Sequence, residues 1–309
     1  MSLSLTSTLK RLLSTGLMTA ALSLGLLANV SAQTALRQYT VKAPDGVVLS
    51  VQETGNPQGP PVILVHGLLG SHLSWQEQLE APDLQSMRLI AFDLRGHGQS
   101  GSPEEALPYT DGRRWAEDLR AVIEASGAKR PVIVGWSLGA AVISNYLAAH
   151  GDAHLAGIVY VGGVVELKEA LIVPHPEVYR DMTSADLMTR LDAERVFLRL
   201  CFERPPEATM FQRLLANAAL ASFDMQKSVH RMSVDAASGL RRVRKPMLQI
   251  YGERDALVRA EASAQRAREL NPSIETLFYA ETGHAPFVEQ TQRFNKDLAA
   301  FVTKVQADR

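Results

Sequence analysis

The sequence predicts an α/β fold built on an open, mostly parallel sheet, and three observations predict it. Short apolar runs recur along the chain, helix-period patterns separate them, and one Gly-x-Ser-x-Gly pentapeptide stands where a run meets a helix pattern. Runs that are apolar at every position fit strands buried on both faces. Their alternation with helices fits crossover connections between parallel strands. The 309 residues, 46% hydrophobic and 21% charged, suffice for one large domain and exclude both wholesale disorder and a multi-span membrane protein. A net charge of −1 gives no basic footprint for nucleic acid. The single cysteine, Cys201, allows neither an intrachain disulfide nor a four-thiolate metal site. Flanked by Leu200 and Phe202, it reads as buried and inert.

In chain order, residues 1–32 read as a secretory signal peptide. Lys10 and Arg11 precede an apolar stretch from Leu12 to Leu27, and Val30-Ser31-Ala32 supplies the small residues of a cleavage site before Gln33. The stretch is short for a membrane span and is diluted by Ser14, Gly16, Thr19, Ser23 and Gly25, which favours cleavage over a retained anchor. Export to the periplasm or medium is therefore expected, an N-terminal membrane anchor being the alternative. Residues 33–309 are expected to form the folded domain.

Within that domain, Leu36–Val41 and Val47–Gln52 read as a hairpin turned by Pro44-Asp45-Gly46. The apolar runs that follow are Val62–Val65, Leu89–Phe92, Val132–Val134, Ile158–Val161, Met247–Tyr251 and Thr276–Tyr279, which makes eight strands in all. Tyr109–Ser126 and Leu138–His150 carry helical patterns. From about 163 to 244 the alternation fails. This stretch has helix-like spacing (Leu187, Leu191, Phe197, Leu198; then Phe211, Leu214, Leu215), punctuating prolines and no strand signal. It is expected to be a helical cap inserted after the sixth strand.

The chemistry starts at Gly135-Trp136-Ser137-Leu138-Gly139. A sharp strand-to-helix turn lifts the serine Oγ above the sheet, and its neighbours must be glycine because a Cβ there would meet backbone. The helix N-terminus adds partial positive charge beside it. A second signal, His66-Gly67-Leu68-Leu69-Gly70, follows the Val62–Val65 run; a third, Asp93-Leu94-Arg95-Gly96-His97-Gly98-Gln99-Ser100, follows Leu89–Phe92.

On these motifs the chain resembles the α/β-hydrolase superfamily, over nearly all of Leu36–Val305 except the cap. In texture it is nearest the non-haem chloroperoxidase-like and arylesterase branch. The resemblance implies an α/β-hydrolase fold with an eight-stranded, mostly parallel sheet flanked by helices. It also implies oxyanion-hole donors at the backbone N–H groups of Leu68 and Leu138. Asp255, in Gly252-Glu253-Arg254-Asp255, and His284, in Gly283-His284-Ala285-Pro286, complete the expected order Ser137, Asp255, His284. His284 would take the proton of Ser137, and Asp255 would fix its tautomer. Glu253 is the local competitor for the acid and reads as a solvated loop carboxylate. His66, Asp93, Arg95 and His97 read as structural, fixing their loops.

Serine, where epoxide- and halide-processing relatives use aspartate, implies an acyl-enzyme. The expected activity is hydrolysis of a carboxylic ester of a small to medium molecule, without cofactor or metal. Perhydrolase or haloperoxidase-like activity and C–C bond or lactone hydrolysis are the alternatives. A catalytically silent ligand-binding protein is the reading from a different class, and the complete set of triad, His-Gly loop and elbow glycines speaks against it. Trp136, Leu68 and Leu138 are expected as apolar pocket walls around Ser137. His150 and His154 have ligand-like spacing, but Gly151 and Asp152 end the helix between them and no third ligand is visible. His175 reads as a surface loop residue, and Arg241–Lys245 as a solvated face. No stable membrane insertion and no nucleic-acid partner are expected.

Overall fold

The computed structural model describes residues 36–307; the expected signal peptide lies outside the described residues. Eight strands form one sheet: β1 (Arg37–Lys42), β2 (Val48–Gly55), β3 (Pro61–Val65), β4 (Arg88–Phe92), β5 (Val132–Trp136), β6 (Gly157–Val161), β7 (Met247–Gly252) and β8 (Glu275–Tyr279). Their spatial order is β1-β2-β4-β3-β5-β6-β7-β8. Only the β1–β2 and β2–β4 pairings are antiparallel. Every residue of β5, β6 and β7 is buried, whereas β2 alternates and the edge strands β1 and β8 are partly exposed. Continuous apolar runs therefore mark the strands covered on both faces, and alternation marks a strand with one wet face.

Helices fill the crossovers. α1 (Gln76–Leu79), α2 (Leu107–Thr110), α3 (Gly112–Ser126) and α4 (Leu138–His150) lie between β3 and β6; α10 (Ala260–Leu270) joins β7 to β8; α11 (Pro286–Glu289) and α12 (Thr291–Ala307) end the domain. The predicted helix over Tyr109–Ser126 is in fact two. Asp111 adopts an extended backbone and its side chain accepts the Arg113 N–H, capping α3 afresh. A Cβ on Gly112 would lie 2.0 Å from the Ser233 carbonyl oxygen, so the incoming cap chain packs straight onto this break.

Between β6 and β7 the chain forms α5 (Pro176–Met182), α6 (Leu187–Leu200), α7 (Ala208–Ala218), α8 (Phe223–Val229) and α9 (Ala236–Leu240). These helices are short because proline or a fresh N-cap interrupts each run: Pro176 opens α5, and Asp186, Glu207, Ser222 and Asp235 cap the next four. Among the described residues no helix is long and apolar enough to cross a membrane.

The chain runs outward from β3 to β4 and then crosses back to β5 on the other side of β3. The direction of winding reverses there, which opens a crevice beyond the carboxyl ends of β3 and β5. The His66–Gly70 and Gly135–Gly139 motifs sit on those two ends.

Candidate active site

Ser137 is the single residue between β5 and α4, with φ 53° and ψ −114°. A non-glycine residue in this region costs roughly 1–3 kcal/mol and persists only when its surroundings hold it. Here they do. The Ser137 N–H donates to Val161 O at 3.0 Å, and its carbonyl accepts the Ala140 N–H at 3.0 Å. A Cβ on Gly135 would meet the Gly139 carbonyl at 2.7 Å, and one on Gly139 would lie 2.4 Å from Val65 O. Helix and strand thus approach closely enough that only glycine fits on either side. The Ser137 side chain makes no capping hydrogen bond to α4, so its hydroxyl is not committed to the helix.

Asp255 and His284 hang from the ends of neighbouring strands, β7 and β8. His284 Nδ1 lies 2.7 Å from Asp255 Oδ2, and both side chains are fully enclosed, at 1% and 0% exposure. The other carboxylate oxygen, Oδ1, accepts the Leu257 and Val258 N–H groups at 2.8 and 2.9 Å. A carboxylate oxygen facing Nδ1 places the ring proton on that nitrogen and leaves Nε2 as the acceptor. Nε2 is buried and has no partner among the described residues. Two contacts bring this ring toward the elbow. Trp136 Nε1 donates to the His284 carbonyl at 2.9 Å. Gly162, next to the residue that accepts the Ser137 amide, has no room for a Cβ because His284 Nδ1 would lie 2.9 Å from it. Glu253, by contrast, is exposed.

The His66–Gly70 loop passes against the elbow: a Cβ on Gly67 would come within 3.1 Å of Ser137 Cβ. His66 holds this loop. Its Nε2 accepts the Leu94 N–H at 2.9 Å while Nδ1 lies 2.7 Å from Gly67 O, so the ring donates from Nδ1. The amides of Leu68 and Leu138 have no acceptor among the described residues, and Leu138 is the first residue of α4, where N–H groups point out of the helix. Both residues, with Ser137, line an apolar cavity of about 120 Å³. Val164, Ile172, Leu257 and Val258 add aliphatic wall; Tyr179, Phe197 and His230 come from the cap.

Trp136 departs from the expected pocket wall. Its indole does not line the cavity but packs behind His284 and edge-on to Phe287, with centroids 5.9 and 5.0 Å away. The ring supports the histidine and forms no wall for substrate. Among the cap contributors, Phe197 shows in the sequence only as part of a helix period and Tyr179 and His230 carry no signal, because nothing local marks a cap residue as facing the sheet.

The Asp93–Ser100 loop is a structural network whose far partners only the fold supplies. Arg95 is fully buried and donates to Asp118 at 2.6 and 2.7 Å and to Asp45 at 2.8 Å. Asp93 accepts from the His72 amide and lies 2.8 Å from its Nδ1. Gly98 has no Cβ room because Asp93 Oδ2 would be 2.3 Å away. His175 is partly buried and ties to Ala256 O at 2.7 Å. Cys201 is buried, and burial pushes its thiol up. No group of three or more His, Cys, Asp or Glu side chains among the described residues could hold a metal ion.

Two of these histidines predict acid lability. Burial, opposed by the nearby Asp93 charge, pushes His66 down to about 4; burial and His66 push His97 down to about 3. As pH falls below about 6.5, the unfolded chain takes up protons that the folded chain refuses. Stability should therefore be intact above that pH and decline steadily towards pH 4. Urea midpoints measured across this range check it; a flat profile between pH 6.5 and 4 would contradict it.

A model of the alpha/beta hydrolase family matches residues 62–297, well over half of the chain. The chain belongs to the alpha/beta hydrolase family. This hydrolase is 62% identical to a Burkholderia cenocepacia protein described as a candidate aryl esterase, whose crystal structure superposes with a TM-score of 0.87 over 88% of this chain and 100% of that one. It is 31% identical to the esterase RhEst1 from Rhodococcus sp. ECU1013, with a TM-score of 0.80 over 87% and 99% of the two chains. A bifunctional esterase/perhydrolase, DCH from Acinetobacter calcoaceticus, is 24% identical over 85% of this chain and 98% of its own length.

Proposed function

We propose that this hydrolase cleaves carboxylic esters of small to medium molecules through an acyl-enzyme on Ser137. The observation that carries the proposal is the enclosed Asp255–His284 pair, whose one uncommitted nitrogen, Nε2, belongs to a ring tied to the strained serine turn. His284 Nε2 takes the Ser137 proton as Oγ attacks the ester carbonyl, then returns it to the leaving alcohol. Asp255 holds the tautomer and balances the imidazolium. The developing oxyanion is stabilised by the Leu68 and Leu138 N–H groups, with the α4 N-terminus behind them. Water then repeats the sequence on the acyl-enzyme. The likeness to proteins described as esterases supports the same reading.

The cavity over Ser137 is apolar, small and roofed by the cap. Short to medium acyl or aryl esters in solution are therefore the expected substrates, with no activation at an oil–water interface. The test is kcat/KM on p-nitrophenyl esters of increasing acyl length, with and without emulsified triglyceride. Highest efficiency on long-chain emulsion, with a jump above the solubility limit, would make it a lipase instead.

We also propose export through the signal peptide at residues 1–32, supported by its basic start, apolar stretch and small cleavage residues. N-terminal sequencing of the protein made in its own host should begin at Gln33. A mature chain that still starts at Met1 would support the retained anchor.

A further inference from the structure

The cap is fastened to both loops that carry the acid–base pair. Its first segment bridges Ile172 to Val258, with Val173 N–H donating to Leu257 O and Arg259 N–H to Leu171 O, each at 2.9 Å. Leu257 and Val258 are the residues whose amides hold Asp255. The second fastening involves Glu289, the last residue of α11. Glu289 Oε1 accepts the Gly283 N–H at 2.8 Å. Its Oε2 accepts the Glu203 and Arg204 N–H groups at 3.0 and 3.3 Å, from the cap turn between α6 and α7. One carboxylate thus gathers three main-chain amides, two from the cap and one from the residue before His284. The two main chains abut: a Cβ on Gly283 would lie 2.5 Å from Glu203 N and 2.9 Å from Phe202 C.

We propose that Glu289 is a positioning residue that couples the cap to His284. The inference rests on His284 being the base of the ester hydrolase proposed above. The main chain carrying the imidazole is held on one side by Trp136 at the His284 carbonyl and on the other by Glu289 at the Gly283 amide. A carboxylate suits this place because it has only acceptors to offer, and each of the three groups facing it is a donor. Burial raises its proton affinity, and the three amides offset part of that cost. Glu289 does not line the cavity over Ser137. Its loss should thus disturb the base and leave the substrate wall in place.

The test uses Glu289→Gln and Glu289→Ala in the full-length enzyme with p-nitrophenyl acetate. Glutamine keeps the size but has one acceptor oxygen, so it can serve Gly283 or the cap amides, not both. Burst amplitude counts competent sites, so kcat is expressed per active enzyme. The expected result is a kcat about 10- to 100-fold lower, as for a displaced reacting group, with KM within about twofold of wild type. The downfield proton resonance of His284 Nδ1–H should shift or broaden in the same variants. Wild-type kcat per active site in folded Glu289→Gln, with an unmoved resonance, overturns the coupling while leaving the ester reading standing. So does a loss that burst amplitude accounts for entirely, since that marks a purely structural residue. A wild-type enzyme that hydrolyses no ester overturns the reading beneath both. Should the alanine variant fail to fold, the glutamine variant decides.

Discussion

Ser137→Ala is expected to lower kcat for ester hydrolysis about 10⁵- to 10⁶-fold, the scale seen when a serine hydrolase loses its nucleophile. The fold should survive, because the turn is held by backbone contacts to Val161 and Ala140 and by the bare Gly135 and Gly139, not by the hydroxyl. The variant should melt near the wild-type temperature, keep its secondary structure and fail to react with a fluorophosphonate. Residual activity near the wild-type level would remove Ser137 from the mechanism. Loss of activity together with loss of the fold would instead show that the hydroxyl is structural.

Asp255→Asn carries the second-largest effect, a fall in kcat of about 10⁴-fold by the precedent of serine proteases. The hydrogen bonds say why. Oδ1 must accept two amides, from Leu257 and Val258, and Oδ2 faces His284 Nδ1. An asparagine keeps its oxygen on the two amides and turns its NH₂ toward the imidazole. Nδ1 must then accept, which moves the ring proton to Nε2, the nitrogen required as base. The side chain fits and the tautomer is wrong. KM should change little, since the Asp255 side chain does not line the cavity. Glu253→Gln, at an exposed position, is the control and should retain activity. The reverse pattern, loss in Glu253→Gln and activity in Asp255→Asn, would transfer the acid to Glu253.

The sheet was legible where the chain signals its environment locally. Val62–Val65 and Ile158–Val161 are apolar at every position, and both prove to be covered on both faces. Leu138–His150 is bounded by the elbow and by Gly151, and the helix has those bounds. Tyr109–Ser126 was less legible. The polar gap from Thr110 to Arg114 holds a local cap at Asp111, and the approach of Ser233 from the distant cap packs onto the same break.

The serine turn was written in the sequence, because the steric demand on each flank, from Gly139 four residues on or from Val65 on the neighbouring strand, leaves only glycine at the position itself. Glycine at 135 and 139 is required by backbone approaching within bonding reach, and such a requirement is written at the position itself. Trp136 shows the opposite case. β5 is buried along its whole length, so no wet face marks which way any of its side chains points. The sequence placed an aromatic beside Ser137, and tertiary structure turned it behind His284. The same holds for the pairing of His284 with Asp255, 29 residues apart, of Arg95 with Asp45, and of Glu289 with the cap amides. Local pattern fixes backbone period and steric exclusion. Which distant donors meet which acceptors is decided by the sheet order, when the chain reverses its winding between β3 and β5 and folds the cap back over the strand ends.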